Sequence, residues 1–195
     1  MKNQGGIQLI ELLSGQLSYQ YEAKEQFHRI GKSYFRDLAK RLSLSKSDFR
    51  LSSNKAGIAV SGEITLHTDK FYLQLSQSYV SYGNNRHDIL LRTVKDRSDY
   101  AGGPNCHLPT VLLADADNLA RYIEHHIDFP PANTTVPSEE QVRSDLAHAR
   151  ANEVLTPELE VVRDQYEYGD IDLEDFEAAV ALAKNSNPVQ LSFFA

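Results

Sequence analysis

Gly57-Ile58-Ala59-Val60-Ser61-Gly62-Glu63-Ile64-Thr65-Leu66-His67-Thr68-Asp69-Lys70-Phe71-Tyr72-Leu73-Gln74-Leu75 is the stretch that decides the fold class. Ile58, Val60, Ile64 and Leu66 fall on one side of an extended chain, and Ala59, Ser61, Glu63 and Thr65 on the other. That is the period of two of a half-buried strand. Thr68-Asp69-Lys70 is a compact polar turn, after which Phe71, Leu73 and Leu75 resume the alternation, so the two runs predict a hairpin. A further strand is expected over Asp88 to Val94, after the Gly83-Asn84-Asn85 turn signal, and Asp48 to Leu51 supplies an edge strand. Connections this short, with no helix between strands, imply an antiparallel sheet with one apolar face to cover. The expected class is α+β: an antiparallel meander of three to four strands covered by helices, followed by a small all-helical C-terminal region.

Helices flank this core on both sides. Ala23, Phe27, Ile30, Tyr34, Leu38 and Leu42 recur at spacings of three and four and predict an amphipathic helix over 19–42, preceded by a shorter one over 7–13. The 19–42 helix carries Lys24, Arg29, Lys32, Arg36, Lys40 and Arg41 on its polar face. After a loop over 96–109, Val111-Leu112-Leu113 leads to a helix capped by Asp115 or Asp117 and running to about Ile127. Pro130, Pro131 and Pro137 then interrupt all periodicity. Beyond them Ser138 and Gln141 form a capping box, Thr156-Pro157 starts a second helix that Gly169 stops, and Asp172 caps a third. The implied divisions are a core domain over 1–128, a Pro-rich linker over 129–137, an acidic helical region over 138–185 and an apolar tail over 186–195.

The chain has 195 residues, of which 41% are hydrophobic and 24% charged, values typical of a packed globular protein. No apolar run approaches membrane-spanning length, no segment reads as a signal peptide, and Cys106 is the only cysteine, so a reducing cytoplasm is the expected location. The net charge of −7 is unevenly distributed. Residues 1–100 carry 15 Lys and Arg against 10 Asp and Glu, whereas residues 101–195 carry 5 against 17. Either the acidic C-terminal helices neutralise the basic half within the molecule, or one half meets a charged partner: the basic half nucleic acid, or the acidic half a protein surface that normally holds nucleic acid.

Few segments have the residue types of a reactive site. In Tyr100-Ala101-Gly102-Gly103-Pro104-Asn105-Cys106-His107 paired glycines precede a thiol and an imidazole, which makes Cys106 and His107 the catalytic candidates. Neighbouring residues rarely face each other, and the reading set against a thiol enzyme is a plain turn in which the glycines supply positive φ. His125 and His126 are adjacent on a helix and project about 100° apart, unlike the i, i+4 pair of a helical metal site. Asp164 to Asp175 has the length of a calcium loop, but Tyr166 and Tyr168 stand where oxygen ligands are needed. Glycine-rich phosphate cradles are absent. No metal or cofactor is expected. Direct nucleic-acid binding has a case in the basic helix face, in Lys46, Arg50, Lys55 and Lys70, and in Tyr72, Tyr79 and Tyr82 as stacking surfaces.

The chain ends Asn185-Ser186-Asn187-Pro188-Val189-Gln190-Leu191-Ser192-Phe193-Phe194-Ala195. An apolar peptide behind a helix-ending Ser/Asn/Pro segment either docks on its own molecule or serves as a ligand for another protein's groove. Gln190-Leu191-Ser192-Phe193-Phe194 resembles the short Gln-Leu-Ser/Asp-Leu-Phe peptide by which bacterial polymerases, repair proteins and replication regulators bind the β sliding clamp. The resemblance implies contacts through Gln190, Leu191, Phe193 and Phe194, with Ser192 as a spacer. It covers five residues and departs from the family at Phe193, where leucine is usual. The expectation is a non-catalytic adaptor or regulator with a protein partner, the sliding clamp, acting in DNA replication or repair or brought by a phage or plasmid. A second copy of the chain is another candidate partner. The alternatives are an inhibitor that imitates nucleic acid on a host nuclease through Asp164, Glu167, Asp170, Asp172, Glu174, Asp175 and Glu177, and an enzyme built on Cys106 and His107.

Overall fold

A computed structural model describes residues 4–78, 80–154 and 156–186. The chain divides into two units, Met1–Glu139 and Glu140–Ala195.

In the first unit, helices α1 (Gln4–Ser14) and α2 (Tyr21–Arg41) precede a five-stranded antiparallel sheet of order β1-β2-β3-β6-β7. Its strands are β1 (Phe49–Asn54), β2 (Glu63–Thr68), β3 (Phe71–Leu75), β6 (Ile89–Thr93) and β7 (Cys106–Leu108). The two-residue strands β4 (Ser81–Tyr82) and β5 (Asn85–Arg86) form a separate small hairpin. Each strand pairs with the next in the sheet without a crossover, as expected when connections are too short to hold a helix. The register lines up Ile64, Leu75, Ile89 and Leu108 across four strands, and beside them Leu51, Leu66, Leu73, Leu91 and Cys106. This inner face is covered by α2, whose Phe27, Phe35 and Leu38 are fully buried. The closest approach is at Gly31: a β-carbon there would lie 2.2 Å from Ile64 Cδ1.

Two expectations need correction. The strand read from Gly57 onward begins only at Glu63, and residues 57–62 form a loop in which Ile58 and Val60 are 63% and 50% exposed. The buried Lys24 ammonium takes over its backbone, donating to the Gly57 carbonyl at 2.7 Å and the Val60 carbonyl at 2.8 Å. His28, one helical turn on, lies 2.8 Å from Ser53 Oγ and 3.0 Å from the Ser61 carbonyl. The alternation of Ile58 and Val60 thus reflects a loop pinned to α2, and Lys24 belongs to the interior.

The second correction is the strand count, five where three to four were expected. The extra strand, β7, falls in the stretch read as loop. It pairs Leu108 with Ile89 and Cys106 with Leu91, and Thr135 adds a parallel bridge on its other side. The His107 N–H donates to the Thr135 carbonyl at 3.0 Å and the Thr135 N–H to that of Asn105 at 2.9 Å. His87 Nε2 lies 3.2 Å from the Pro137 carbonyl, so the proline-rich segment is tied down at both Thr135 and Pro137. Val111 to Leu113 form part of a 3-10 turn (Thr110–Ala114), and Asp115 caps α3 (Ala116–Asp128) by accepting from the Asp117 and Asn118 N–H groups. Asp88, buried just before β6, accepts from the Ser78 N–H, the Arg86 guanidinium and the Thr110 hydroxyl. This anchors the hairpin side of the sheet.

The second unit consists of α4 (Glu139–Glu153), α5 (Pro157–Tyr168) and α6 (Leu173–Ser186). Thr156 caps α5 through its hydroxyl, Gly169 closes that helix in the left-handed conformation at φ 81°, and Asp172 accepts from the Asp175 N–H at the start of α6. Ala147, Ala151, Leu159, Leu173, Phe176 and Val180 form the core. Tyr166 stacks on Phe176 at 4.8 Å between ring centres, and His148 meets the same ring at 5.0 Å.

Candidate binding surfaces

Consecutive strand residues project to opposite faces. Cys106 accordingly faces the core, 2% exposed, with Sγ 3.9 Å from the Tyr122 hydroxyl and 3.3 Å from that of Thr135. His107 points to the other side of the sheet, and burial pushes its pKa down. The strand therefore separates thiol and imidazole. Among the described residues no group of three His, Cys, Asp or Glu side chains is placed to hold a metal ion. His126 is buried and its neighbour His125 half-buried.

Two of the six cations expected along the polar face of α2 are committed to structure, Lys24 and Arg41, whereas Arg29, Arg36 and Lys40 are exposed. Lys24 is buried, Lys55 pairs with Glu25 at 2.5 Å, and Arg41 pairs with both Asp37 and Asp117. A more coherent polar surface is the outer face of the sheet, opposite α2. The same register that builds the apolar core puts Arg50, His67, Tyr72 and Arg92 in one row across β1, β2, β3 and β6. Beside it runs a second row, Ser52, Thr65, Gln74, Leu90 and His107. The Arg92 guanidinium sits 4.4 Å over the Tyr72 ring, and the His67 ring meets Tyr72 edge-on at 5.3 Å.

The loop after β6 completes this row. Tyr100 lies 5.3 Å from the His67 ring, receives Arg50 Nη1 on its hydroxyl at 3.1 Å and Arg92 Nη2 on its carbonyl at 2.7 Å, and stays 58% exposed. Gly102 makes the approach feasible. At φ 62° a β-carbon there would meet Arg92 Cδ at 2.8 Å and the Thr93 carbonyl at 2.9 Å. Asp99 holds the loop by accepting from the Gly102 and Lys95 N–H groups, which keep its carboxyl below the usual range. The glycine pair singled out in the sequence thus serves Tyr100 and Arg92, where the sequence had pointed to Cys106.

The carboxylates near this row are Asp99, which acts on His67 from the loop, and Glu63, which acts on Tyr72. Among the described residues neither Arg50 nor Arg92 forms an ion pair, and Arg92 Nε is buried without a hydrogen-bond acceptor. His67 is 3% exposed, and its Nε2 has no partner of acceptable geometry. Burial first, then the Arg92 and Arg50 charges, lower its pKa. Glu63 is the single carboxylate among the strand residues of this face.

In the second unit, Asp164, Glu167, Asp170, Asp172, Glu174 and Asp175 are exposed, while Glu177 pairs with Arg143 at 2.5 Å. Residues 140–195 hold 12 Asp and Glu against 4 Lys and Arg. Between α5 and α6 runs a groove of about 440 Å³, lined by Leu159, Val162, Ala179, Leu182 and Ala183 with Thr156 and Glu158 at its end. Gln190, Leu191, Phe193 and Phe194 lie outside the described residues, as does Tyr79. No helix among the described residues is long and apolar enough to cross a membrane. No protein-family model, curated protein or solved structure matches the chain.

Proposed function

We propose that the protein is a non-catalytic adaptor or regulator whose C-terminal peptide, Gln190 to Phe194, binds a bacterial β sliding clamp at sites of DNA replication or repair. The observation that carries this reading is the peptide itself, spaced by Asn187-Pro188-Val189 from the end of α6 at Ser186. Leu191 would enter one pocket, Phe193 and Phe194 a second, and the Gln190 amide would anchor the peptide by hydrogen bonds. Aromatic rings are effective anchors because each buries about 150–250 Å² of surface. The second unit supports the assignment in that its core is drawn from α4, α5 and α6 alone. The separation of Cys106 from His107 supports a binding role over a catalytic one.

The test is binding of the purified clamp to the full-length protein, to a form lacking residues 188–195, and to Leu191→Ala and Phe194→Ala. The full-length protein should bind, the truncated form should not, and the melting temperature should be unchanged. Clamp binding that survives truncation, or no binding by the full chain, would refute the reading. A large loss of stability on truncation would instead assign the tail to the protein's own fold.

A second reading rests on the acidic second unit, which would place Asp164, Glu167, Asp170, Glu174 and Asp175 on a nuclease or another nucleic-acid-binding protein in the manner of a phosphate backbone. Neutralising these carboxylates together should then abolish capture of that partner, and unaltered capture would exclude this role.

A further inference from the structure

We infer that the outer face of the sheet in the first unit binds single-stranded nucleic acid between Arg50 and Arg92, with Tyr100 as its exposed stacking ring over the buried His67 and Tyr72. This stands independently of the C-terminal peptide.

The row contains two arginines at the spacing such a ligand needs, with Asp99 and Glu63 as the nearby carboxylates. Four residues on adjacent strands span three inter-strand steps of about 4.8 Å, roughly 14 Å in all. A guanidinium stands at each end, and the His67 and Tyr72 rings between them are buried, so they support the Tyr100 ring rather than meet a base. Neither arginine forms an ion pair among the described residues, and Arg92 Nε is a buried donor without an acceptor. Arg92 Nε is closed off from solvent beneath the Gly102 loop, so an arriving anion would meet the exposed Arg50 guanidinium and the half-buried remainder of Arg92. Tyr72 holds the Arg92 guanidinium in place, so little freedom is lost when that group grips a phosphate.

The aromatic component decides between ligands. Tyr100 presents a 58% exposed ring beside His67, and base stacking on such a ring tolerates any sequence. The adjacent row places the neutral side chains of Ser52, Thr65 and Gln74 beside the arginines, where base edges would lie. A duplex keeps its bases stacked inside and is read by an element that enters a groove. α2 packs against the opposite face, and on this face the loop after β6 lies over His67 and Tyr72 and presents the Tyr100 ring. Unpaired bases laid against that ring fit the arrangement better.

The experiment is fluorescence anisotropy of a labelled oligothymidine, and of a duplex of equal length, titrated with full-length protein at several salt concentrations. The strand should bind more tightly than the duplex. Tyr100→Ala should weaken strand binding about tenfold, while Tyr100→Phe, which keeps the ring, should retain most of it. Arg50→Ala should reduce the slope of log affinity against log salt by about 0.7, the share of one phosphate contact on a single strand. Arg29→Ala removes an equal charge from the exposed side of α2 and should leave binding unchanged. Each variant is accepted only if its melting temperature matches the wild type; Arg50, Tyr100 and Arg29 are all exposed. Failure to bind the strand, equal affinity for the duplex, or an equal loss in Arg29→Ala would each overturn the inference. So would displacement of the strand by polyglutamate at equal charge concentration, which would mark the face as a protein-binding surface.

Discussion

Replacing Gly6 by alanine tests how α1 is held. A β-carbon at this position would lie 1.7 Å from the Leu113 carbonyl oxygen, 2.6 Å from its carbon and 3.2 Å from the Tyr34 ring. Ordinary contact begins near 3.4 Å, so α1 and the Thr110–Ala114 turn would have to separate by about 1.7 Å. The obstacle is backbone, which no rotamer change can move aside, and the displaced helix carries the fully buried Leu9 and Leu13. Overpacking of this kind costs about 3 kcal/mol, whereas exchanging glycine for alanine within a helix recovers about 1 kcal/mol. The net expectation is a loss of about 2 kcal/mol, or about 4–8 °C in melting temperature. Gly15→Ala is the matched control, because its β-carbon would meet nothing closer than the Leu12 carbonyl at 3.6 Å. Urea unfolding followed by circular dichroism should show the loss in Gly6→Ala and a change of no more than about 0.5 kcal/mol in Gly15→Ala. A Gly6→Ala protein as stable as the wild type would mean that α1 is not seated on that turn.

Lys24→Met should leave the Gly57 and Val60 carbonyls without their donor, costing about 2 kcal/mol, and thermolysin should then cut near Ile58 sooner than in the wild type. His28 is held below the usual histidine pKa chiefly by burial, and His67 and His107 shift the same way. The unfolded chain therefore takes up protons first as pH falls through about 6.5, so stability from these groups is present above that pH and declines below it. Urea midpoints measured at about pH 8 and about pH 5.5 should differ in the wild type and differ less in His28→Gln. Phe176→Ala empties the centre of the second unit, where Tyr166 and His148 both rest on that ring, at a cost of about 3–5 kcal/mol. Hydrogen exchange should then accelerate throughout α4, α5 and α6 while β2 and β3 stay protected.

What was legible in the sequence was what local periodicity encodes. Ile64, Leu66, Leu73 and Leu75 announced β2 and β3, and Phe27, Tyr34 and Leu38 announced α2. Thr156-Pro157, Gly169 and Asp172 marked the helix ends because caps and left-handed glycines act within a few residues. The misreadings have the opposite origin. Ile58 and Val60 alternate by chance in a loop whose path is dictated by an ammonium more than thirty residues earlier in the chain. β7 is three residues long among glycine, proline and asparagine, and it exists because β6 and Thr135 pair with it. Lys24 was placed with the solvent face of α2 because a charged side chain normally belongs there, yet it satisfies two backbone carbonyls of the β1–β2 connection.

The outer row was hidden for a related reason. Arg50, His67, Tyr72 and Arg92 span more than forty residues of sequence, and only the pairing of four strands makes them neighbours. The sequence offered Arg50 and Tyr72 among several cations and rings, and the Gly102-Gly103 pair, which marked a close backbone approach but not to what. A five-residue peptide and a four-residue row are each small as binding surfaces, and each alone would hold a partner modestly. Carried on one chain they would act together: once the peptide is captured at a DNA-bound ring, a strand nearby is met at high effective concentration, and weak contacts suffice. The uneven charge suits that division of labour. Arginines without an ion-pair partner among the described residues would draw a polyanion to the sheet, and the 12 carboxylates of the second unit would repel it from that unit's helices.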